Sequence, residues 1–338
     1  MNPDSQPLVS IVTPMYNEAE FLSECIERVL EQTYQNWEYV IVDNCSTDGS
    51  ADIAARFAKQ DSRIRVLESH QFLRAVPNHN RALRQISPAS KYCKVVFADD
   101  WLFPECVERM VALAEAHPTV GIVGAYGLDG TNVLWVGLPY PSTVISGRDA
   151  CRRYFLRGPY GFGTASSVLY RADLVRSRTQ FYPEDDINAD THACVELLKE
   201  CDFGFVHQIL SFTRMRDHSL VKMSQAMNTF AASELRQLTS HGRFFLSDEE
   251  FDRCLTTILD NYYIFLAGRL FRRCGNDFWR YHKTALQDAG PGFSRVRLAR
   301  GLWTKLCSCF AHPVHTVRNS LRHRAVESDT FVRELAEP

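Results

Sequence analysis

Carboxylates follow three predicted strands near the start of the chain, each where the strand has just ended: Glu18, Asp43 and the pair Asp99 and Asp100. Two adjacent carboxylates repel each other unless a cation lies beside them, and hard oxygen ligands suit Mg²⁺ or Mn²⁺. The pair therefore predicts a divalent-metal site that would bridge to substrate phosphates. The alternative is a solvated turn that caps the helix expected from Pro104.

The elements that would position these carboxylates alternate between strand and helix. Apolar runs predict strands, and apolar residues at a helical period predict the helices between them. The strands are expected near 8–13, 39–42, 64–67, 94–97 and 120–123, and the helices near 18–31, 48–59, 80–86 and 104–117. This order is typical of an α/β fold with a mostly parallel central sheet, where ligands bind at the carboxyl ends of strands. The acidic positions are therefore expected to share one crevice.

The rest of the chain becomes progressively more helical. A helix is expected over 190–201 and a closing strand over 203–212, and strand signals stop after about Leu220. Helices are then expected near 225–240, 248–269 and 295–324, the second with a capping box formed by Ser247 and Glu250. We therefore expect an α/β domain over 1–220 and a helical C-terminal region over 221–338.

Net charge and cysteine content exclude several classes of protein. A net charge of -2 with 38 basic and 40 acidic residues favours no nucleic-acid partner. The 11 cysteines show no metal-ligand spacing and no disulfide framework, which is typical of a reduced, cytoplasmic protein. Neither a signal peptide nor an apolar run of the roughly 20 residues needed to span a bilayer is evident.

Three linked segments carry a resemblance to a known family. Ser-Ile-Val-Thr-Pro-Met-Tyr-Asn-Glu at 10–18 is followed by Val-Asp-Asn-Cys-Ser-Thr-Asp-Gly-Ser at 42–50 and by Phe-Ala-Asp-Asp at 97–100. In order and spacing they resemble the family 2 glycosyltransferases, over roughly residues 8 to 220. The resemblance implies a nucleotide-sugar-binding domain of the GT-A type.

The resemblance also assigns the donor side of the site. It implies that Asp43 accepts a hydrogen bond from the N–H of a uracil, and that Pro14, Tyr16 and Glu18 wrap the base and ribose from the first strand-to-helix loop. The alternative for Asp43 is a turn cap. We favour binding, because Asp48 and its neighbours already supply caps.

A departure from the family pattern lies beside the predicted metal site. Many relatives have an Asp two positions before Asp99, where this chain has Phe97. This leaves open whether Asp99 or Asp100 holds the Mg²⁺ or Mn²⁺ ion and which of them contacts the ribose. Two acids remain, so the site is still expected.

The candidate general base lies in an acidic segment, residues 184–192, that leads into a helix. The family places this base in a Glu-Asp pair at the start of such a helix, and Asp190 matches the Asp, with Ala189 where Glu is frequent. An inverting transfer needs a carboxylate opposite the leaving group to accept the acceptor's proton. The alternative is a helix N-cap, and Asp185 and Asp186 are the fallback candidates.

Cations after the closing strand complete the expected donor site. Arg214 and Arg216 resemble a loop of the family and could pair with the departing diphosphate, as could His218 in another alignment. The alternative is a solvated basic loop. Asn80, followed by Arg81, matches a family pair, and we expect it to support the metal-site strand from behind.

The acid-free helix expected over 295–324 is amphipathic and contains Trp303. Such a helix can lie on a membrane surface, or it can pack on the catalytic domain with a solvated basic side, and both remain open.

The functional prediction is an inverting glycosyltransferase that moves a sugar from a nucleotide sugar, UDP-linked by family preference, to a hydroxyl of a glycan or lipid-linked acceptor in polysaccharide synthesis. One alternative is an inactive, nucleotide-binding scaffold subunit. Another, a nucleotidyltransferase, ranks lower because no Gly-rich loop follows the first strand.

Overall fold

The structure is a computed structural model that describes residues 6–159, 161–186, 188–214, 227–270 and 274–311. The chain divides into two compact units, Met1–Arg216 and Asp217–Pro338. Because 215–226 lie outside the described residues, the domain boundary between 220 and 221 stays a prediction.

The first unit is built on a single sheet. Its strands are β1 Val9–Met15, β2 Trp37–Asp43, β3 Ile64–Glu68, β4 Tyr92–Val95, β5 Trp101–Leu102, β6 Val120–Asp129, β7 Asn132–Leu134, β8 Val144–Ile145, β9 Val168–Arg171 and β10 Asp202–Phe212. They follow the order β3-β2-β1-β4-β9-β6-β10-β5, with β7 paired to β6 and β8 to β10. Neighbours among β3, β2, β1 and β4 are parallel, as are β6 and β10, whereas β9 is antiparallel to β4 and β6.

Helices connect these strands and form the second unit. In the first unit they are α1 Leu22–Leu30, α2 Ser50–Gln60, α3 Ala75–Leu83, α4 Cys106–Ala116, α5 Gly147–Phe155, α6 Ala172–Arg176 and α7 Ala189–Leu197. In the second they are α8 Thr229–Phe245, α9 Asp248–Arg269, α10 Asn276–Asp288 and α11 Arg295–Ala311. The α/β class with a mostly parallel sheet and a helical C-terminal region is confirmed.

Burial explains why the central strands form. Every residue of β1 is buried, as expected for a strand that is covered by helices on both faces of the sheet. The core side of α1 consists of Leu22, Cys25, Ile26 and Val29, whose spacing of three and four residues places them on one face.

Several element boundaries differ from the sequence prediction. Pro14 belongs to β1, opposite Val42, and is not in the following loop. β4 accompanies β1 only as far as Val12, so the proline lies where β1 has a single neighbour and its missing N–H disturbs the ladder little. α3 begins at Ala75 rather than Asn80, because Pro77 fits the first turn of a helix. The short strands β7 and β8 and the helices α5 and α10 were not predicted.

The second unit contains one helix whose bounds were predicted correctly. α9 begins after Ser247, and the capping box is present: the Ser247 side chain accepts from the Glu250 backbone N–H, and the Glu250 carboxylate accepts from the Ser247 backbone N–H. Of the expected helix over 295–324, α11 is described and 312–324 lie outside the described residues. Within the described ranges, no helix is long and apolar enough to cross a membrane.

Candidate active site

The carboxyl ends of β1, β2 and β3 meet at one edge of the sheet, because the strands are parallel and in register. Met15 lies opposite Asp43, which lies opposite Glu68. β4 runs beside β1 in the same direction, and the chain then continues through Phe97 to Asp99. This edge, called the donor edge below, therefore gathers the predicted residues Tyr16, Glu18, Asp43 and Asp99.

Hydrogen bonds join the two loops that follow β1 and β2. The Asn17 backbone N–H donates to Ser46 Oγ at 3.0 Å, and the Thr47 backbone N–H donates to Asn17 Oδ1 at 2.8 Å. The Glu18 backbone N–H donates to Ser50 Oγ at 2.8 Å, and that of Ala19 donates to Asp48 Oδ2 at 2.9 Å. The loop that carries Tyr16 and Glu18 is thereby fixed to the segment that begins with Asp43.

Asp43 has a structural contact of its own. Its side chain is buried, and its two carboxylate oxygens lie 3.2 and 3.3 Å from the Ser46 backbone nitrogen, which donates to them. The turn-cap interaction considered from the sequence is therefore present. It fixes the carboxylate at the end of β2, and a ligand contact at the same group stays a prediction.

An aromatic pair that the sequence analysis missed lies at the donor edge. The rings of Tyr16 and Phe72 meet edge to face with centroids 4.8 Å apart, and both side chains are about half exposed. Phe72 is held there by Asn44, whose side chain accepts from the Leu73 N–H at 2.9 Å and donates to the Leu73 carbonyl at 2.7 Å. The sequence signal that could have identified this pair is the aromatic residue Phe72 within the largely polar segment 68–74.

A cavity of about 380 Å³ lies under the same loop. It is lined by Val42, Leu67, Glu68, Ser69, His70, Gln71, Arg81 and Gln85. Arg81 contacts the Ser69 hydroxyl and donates to the Gln71 carbonyl at 3.4 Å, so its guanidinium fastens the loop from inside the cavity. Polar donors and acceptors thus line a space beside the ends of β2 and β3.

Asp99 and Asp100 have different surroundings. Asp100 is buried, and its Oδ1 accepts from the Arg214 backbone N–H at 3.0 Å. Asp99 is partly exposed, and its backbone carbonyl accepts from the Arg214 guanidinium at 3.2 Å. The end of β10 is therefore attached to the predicted metal-site pair, and the carboxylate of Asp99 is the more accessible of the two.

The Arg214 side chain, predicted to contact a diphosphate, is held by protein groups. It donates to the Glu24 carboxylate at 2.9 Å and lies over the Phe21 ring with its central carbon 4.4 Å from the ring centroid. The ion pair links the end of β10 to α1. Arg216 and His218, the other predicted cations of this loop, lie outside the described residues.

The acidic segment before α7 is held by a side chain that lies far from it in the sequence. The Asn80 side chain accepts from the Tyr182 N–H and donates to the Tyr182 carbonyl, both at 2.8 Å, and it also donates to the Glu184 carboxylate at 3.1 Å. The preceding residue of α3, His79, packs its ring against Phe97, 5.0 Å between centroids. α3 therefore contacts both the acidic segment and the segment that leads to Asp99.

Within that segment, Asp186 is a buried carboxylate that contacts His192 and Asn188. Its Oδ2 lies 3.0 Å from His192 Nδ1, and its Oδ1 accepts from the Asn188 backbone N–H at 3.0 Å. Asp185 is exposed. Of the two fallback bases, Asp186 is thus committed to holding the segment together.

Asp190 is the second residue of α7, and the N-cap position is taken by Asn188. The carboxylate is partly buried, and its Oδ1 accepts from the Thr191 N–H at 2.7 Å. Burial raises the pKa of Asp190 to about 6, and the negative charge of Asp186 acts in the same direction. A carboxylate with this pKa can accept a proton near neutral pH and hold it.

A buried turn supports the segment that leads from β4 to the predicted metal-site pair. The Ser166 hydroxyl accepts from the Phe97 N–H at 3.0 Å, and Lys94 Nζ donates to the carbonyls of Ser166 at 2.5 Å and Val168 at 3.0 Å. The preceding Gly163 has φ +63°, and a Cβ there would lie 1.7 Å from Ser167 Oγ, so only glycine fits this position.

Among the residues that the structure describes, no three His, Cys, Asp or Glu side chains are grouped so that they could enclose a metal ion. Magnesium is commonly held by one or two carboxylates together with substrate phosphates and water. The partly exposed carboxylate of Asp99, with Asp100 next to it in the sequence, fits that kind of site.

Comparison with known sequences agrees with the geometry. The profile of the family described as glycosyl transferase family 2 matches residues 10–177. Glycosyltransferase GlyG of Streptococcus pneumoniae is 34% identical over 119 residues, 35% of this chain and 39% of GlyG. TuaG of Bacillus subtilis, named for teichuronic acid biosynthesis, is 37% identical over 130 residues, 37% of this chain and 50% of TuaG. The chain thus spans half or less of these curated relatives.

Solved structures share the fold over most of the chain. S. aureus TarS 1-349 in complex with UDP-GlcNAc superposes with a TM-score of 0.62 at 15% identity, covering 89% of this chain and 88% of TarS 1-349. The mannosyltransferase PcManGT of Pyrobaculum calidifontis, in complex with GDP-Man and Mn2+, gives a TM-score of 0.55 at 18% identity, covering 93% of this chain and 84% of PcManGT. This shared fold agrees with the donor edge and with the family match. The chain therefore belongs to glycosyltransferase family 2 through its domain at residues 10–177, and its fold is of the GT-A type.

Proposed function

We propose that the protein is an inverting glycosyltransferase that moves a sugar from a nucleotide sugar to an acceptor hydroxyl. The observation that supports this most directly is the family 2 match over residues 10–177, which includes the joined loops that carry Tyr16, Glu18 and Asp43. In addition, burial raises the pKa of Asp190 to about 6. A base that takes a proton from a hydroxyl works best when its pKa lies near the operating pH.

In the proposed reaction, the Asp190 carboxylate accepts the acceptor's hydroxyl proton while the hydroxyl oxygen attacks the anomeric carbon of the donor. The bond between that carbon and the diphosphate breaks on the opposite side, and the nucleoside diphosphate leaves with the electron pair. Configuration at the anomeric carbon is therefore inverted, and no covalent intermediate with the protein forms.

The donor edge supplies the binding contacts in this proposal. Asp43 accepts from the base, Tyr16 and Phe72 flank it, and Glu18 contacts the ribose. Pro14 supports this loop from within β1. Their support is the fixed geometry of the two joined loops and the exposed aromatic pair.

Charge on the diphosphate needs neutralisation. Asp99 would hold the Mg²⁺ or Mn²⁺ ion, because its carboxylate is more accessible than that of Asp100, which binds the Arg214 backbone. Such an ion stabilises the negative charge that develops on the departing diphosphate. Asp100 then positions the backbone at Arg214, just after β10. Arg216, two positions further along the sequence, is the other cation proposed to pair with the diphosphate.

For the donor and acceptor we propose a UDP-sugar and a glycan or lipid-linked hydroxyl in polysaccharide synthesis in the cytoplasm. The complex of TarS with UDP-GlcNAc and the name of TuaG support this choice. GDP is the competing nucleotide, since PcManGT was solved with GDP-Man.

Titration calorimetry with UDP, GDP and dTDP, each with and without Mn²⁺, tests the donor site. We expect metal-dependent binding of UDP that Asp99→Ala abolishes and that Asp129→Ala, at the partly exposed end of β6, leaves unchanged. Failure of every nucleotide to bind would refute the proposal. Binding combined with no hydrolysis or transfer of any nucleotide sugar would instead favour the inactive scaffold.

A further inference from the structure

One face of α11 presents apolar side chains to solvent. Val296 is 79% exposed and Trp303 is 70% exposed, and Ala299 and Leu306 are exposed beside them. These positions are separated by three or four residues, so they form one stripe along the helix. We call them the α11 stripe.

The opposite face of α11 fixes this orientation. A Cβ on Gly301 would lie 2.7 Å from the Tyr263 carbonyl oxygen, so at this glycine the backbones of α11 and α9 are in close contact. Arg297 donates to Asp260 of α9 at 3.3 Å. Because α11 is attached through this side, the α11 stripe must face away from α9.

Cationic side chains border the α11 stripe, and the sequence around it contains no acidic residue. Helical periodicity places Arg295 on one side of it and Arg300 on the other, and both side chains are exposed. Within the described part of the chain neither of them forms an ion pair, unlike Arg297. The sequence contains no Asp or Glu between Asp288 and Glu327.

We propose that the α11 stripe docks on an anionic phospholipid surface. Apolar side chains with a tryptophan enter the boundary between headgroups and acyl chains, while flanking arginines contact lipid phosphates. A second copy of the chain fits this face poorly, because a symmetric contact would bring the arginines of the two copies together. The lipid surface satisfies both the apolar area and the positive charge.

Sedimentation of the full chain with vesicles tests this docking. Vesicles of phosphatidylcholine alone are compared with vesicles that also contain phosphatidylglycerol, at low and high salt. We expect binding to the anionic vesicles only, weakened by salt. Each arginine contributes roughly fivefold to partitioning, so Arg295→Gln/Arg300→Gln lowers it about 25-fold. Trp303→Ser lowers it by about tenfold or more.

Matched controls lie in the other unit. Tyr140→Ser removes an 83% exposed aromatic ring and Arg148→Gln removes an exposed cation of α5, and neither should change vesicle binding. Circular dichroism confirms that each variant is folded. Brominated lipids should quench the wild-type fluorescence more than that of Trp303→Phe.

Three results would overturn the docking: no binding to anionic vesicles, equal loss in the control variants, or a dimer in light scattering that Trp303→Ser dissociates. Nucleotide binding is measured on the same samples. A chain that binds UDP but no vesicles refutes only the docking, and one that binds vesicles but no nucleotide refutes only the proposed function.

Discussion

The donor edge and the acidic segment both present carboxylates, but they are held in different ways. At the donor edge, contacts between two neighbouring loops fix the backbone near Asp43, through residues that lie within the stretch from Asn17 to Ser50. The acidic segment depends on Asn80, which is 102 residues away from Tyr182 in the sequence. The geometry of the proposed binding residues is therefore fixed by local contacts, whereas the geometry of the proposed base depends on a distant contact.

The two regions also differ in what their carboxylates do. The two carboxylate oxygens of Asp43 share the backbone N–H of Ser46, which suits a group that must stay in place while a ligand arrives. Asp190 is partly buried near the carboxylate of Asp186, and its pKa is raised to about 6. The first arrangement favours recognition and the second favours proton transfer. Substitutions in the two regions should therefore affect different measurements.

The largest effect is expected from Asp190→Asn. The amide keeps the shape of the side chain but cannot accept the acceptor's proton, so kcat should fall by about 10²–10⁴. Nucleotide affinity, set at the donor edge, should not change. Asp288→Asn, on an exposed carboxylate at the end of α10, is the control. Steady-state kinetics with calorimetry would separate the regions, and a loss of UDP binding in Asp190→Asn would contradict the separation.

The next effect is expected from Asn80→Ala. Removing the buried amide leaves the Tyr182 N–H and carbonyl without their partner, which should lower the free energy of unfolding by about 2–4 kcal/mol. Urea unfolding measures this loss, and Asn132→Ala on the exposed strand β7 should change stability little. Turnover should decline more than UDP affinity. Equal declines in both would show that α3 supports the two regions alike.

The pH dependence of turnover should further distinguish the proposed base from the donor edge. Below about pH 6 Asp190 becomes protonated and can no longer act as a base, so kcat/KM should decrease as the pH falls through that value. Asp186→Asn removes the negative charge that helps to raise the pKa of Asp190, and the acid limb should therefore move to lower pH. Burial, the larger cause, remains, so the limb should not reach the ordinary value for Asp. A limb that moved to higher pH would contradict this assignment.

The smallest effect is expected from Asp48→Ala at the donor edge. The substitution removes an exposed cap that accepts from Ala19 and Ser50, which should cost about 1 kcal/mol of stability. UDP affinity should fall several-fold while the acid limb of the pH profile stays in place. Asp52→Ala, an exposed carboxylate in α2, serves as the control. Titration calorimetry with UDP measures this change. An unchanged affinity would show that nucleotide binding does not need the contact between Asp48 and the Ala19 backbone.

Sequence reasoning succeeded where the signal was local. Strand ends, helical periods and the capping box at Ser247 depend on residues a few positions apart, so the α/β class, the parallel strands around β1 and the bounds of α9 could be predicted. Pro14 misled the prediction, because a proline ends a strand only where its N–H is required, and β1 has one neighbour at that position.

The missing parts of the site depend on contacts that no local pattern encodes. Phe72 reaches the donor edge because Asn44 binds the backbone at Leu73, and Glu24 meets Arg214 across 190 positions. Asn80 was named from its family match, but its attachment to Tyr182 follows only from the folded chain. The roles predicted for Asp43, Asp99 and Asp190 stay predictions.

The attachment of Asn80 to Tyr182 bears on which changes of chain length the protein can tolerate. Tyr182 is fixed to α3 at one end of the acidic segment, and Asp190 is fixed by α7 at the other. An inserted or deleted residue between these two points would shift the carboxylate along the helix or pull Tyr182 from its partner. Exchange of side chains at constant length should therefore be tolerated here better than insertion or deletion, whereas the exposed turn at Gly130 between β6 and β7 has room to lengthen.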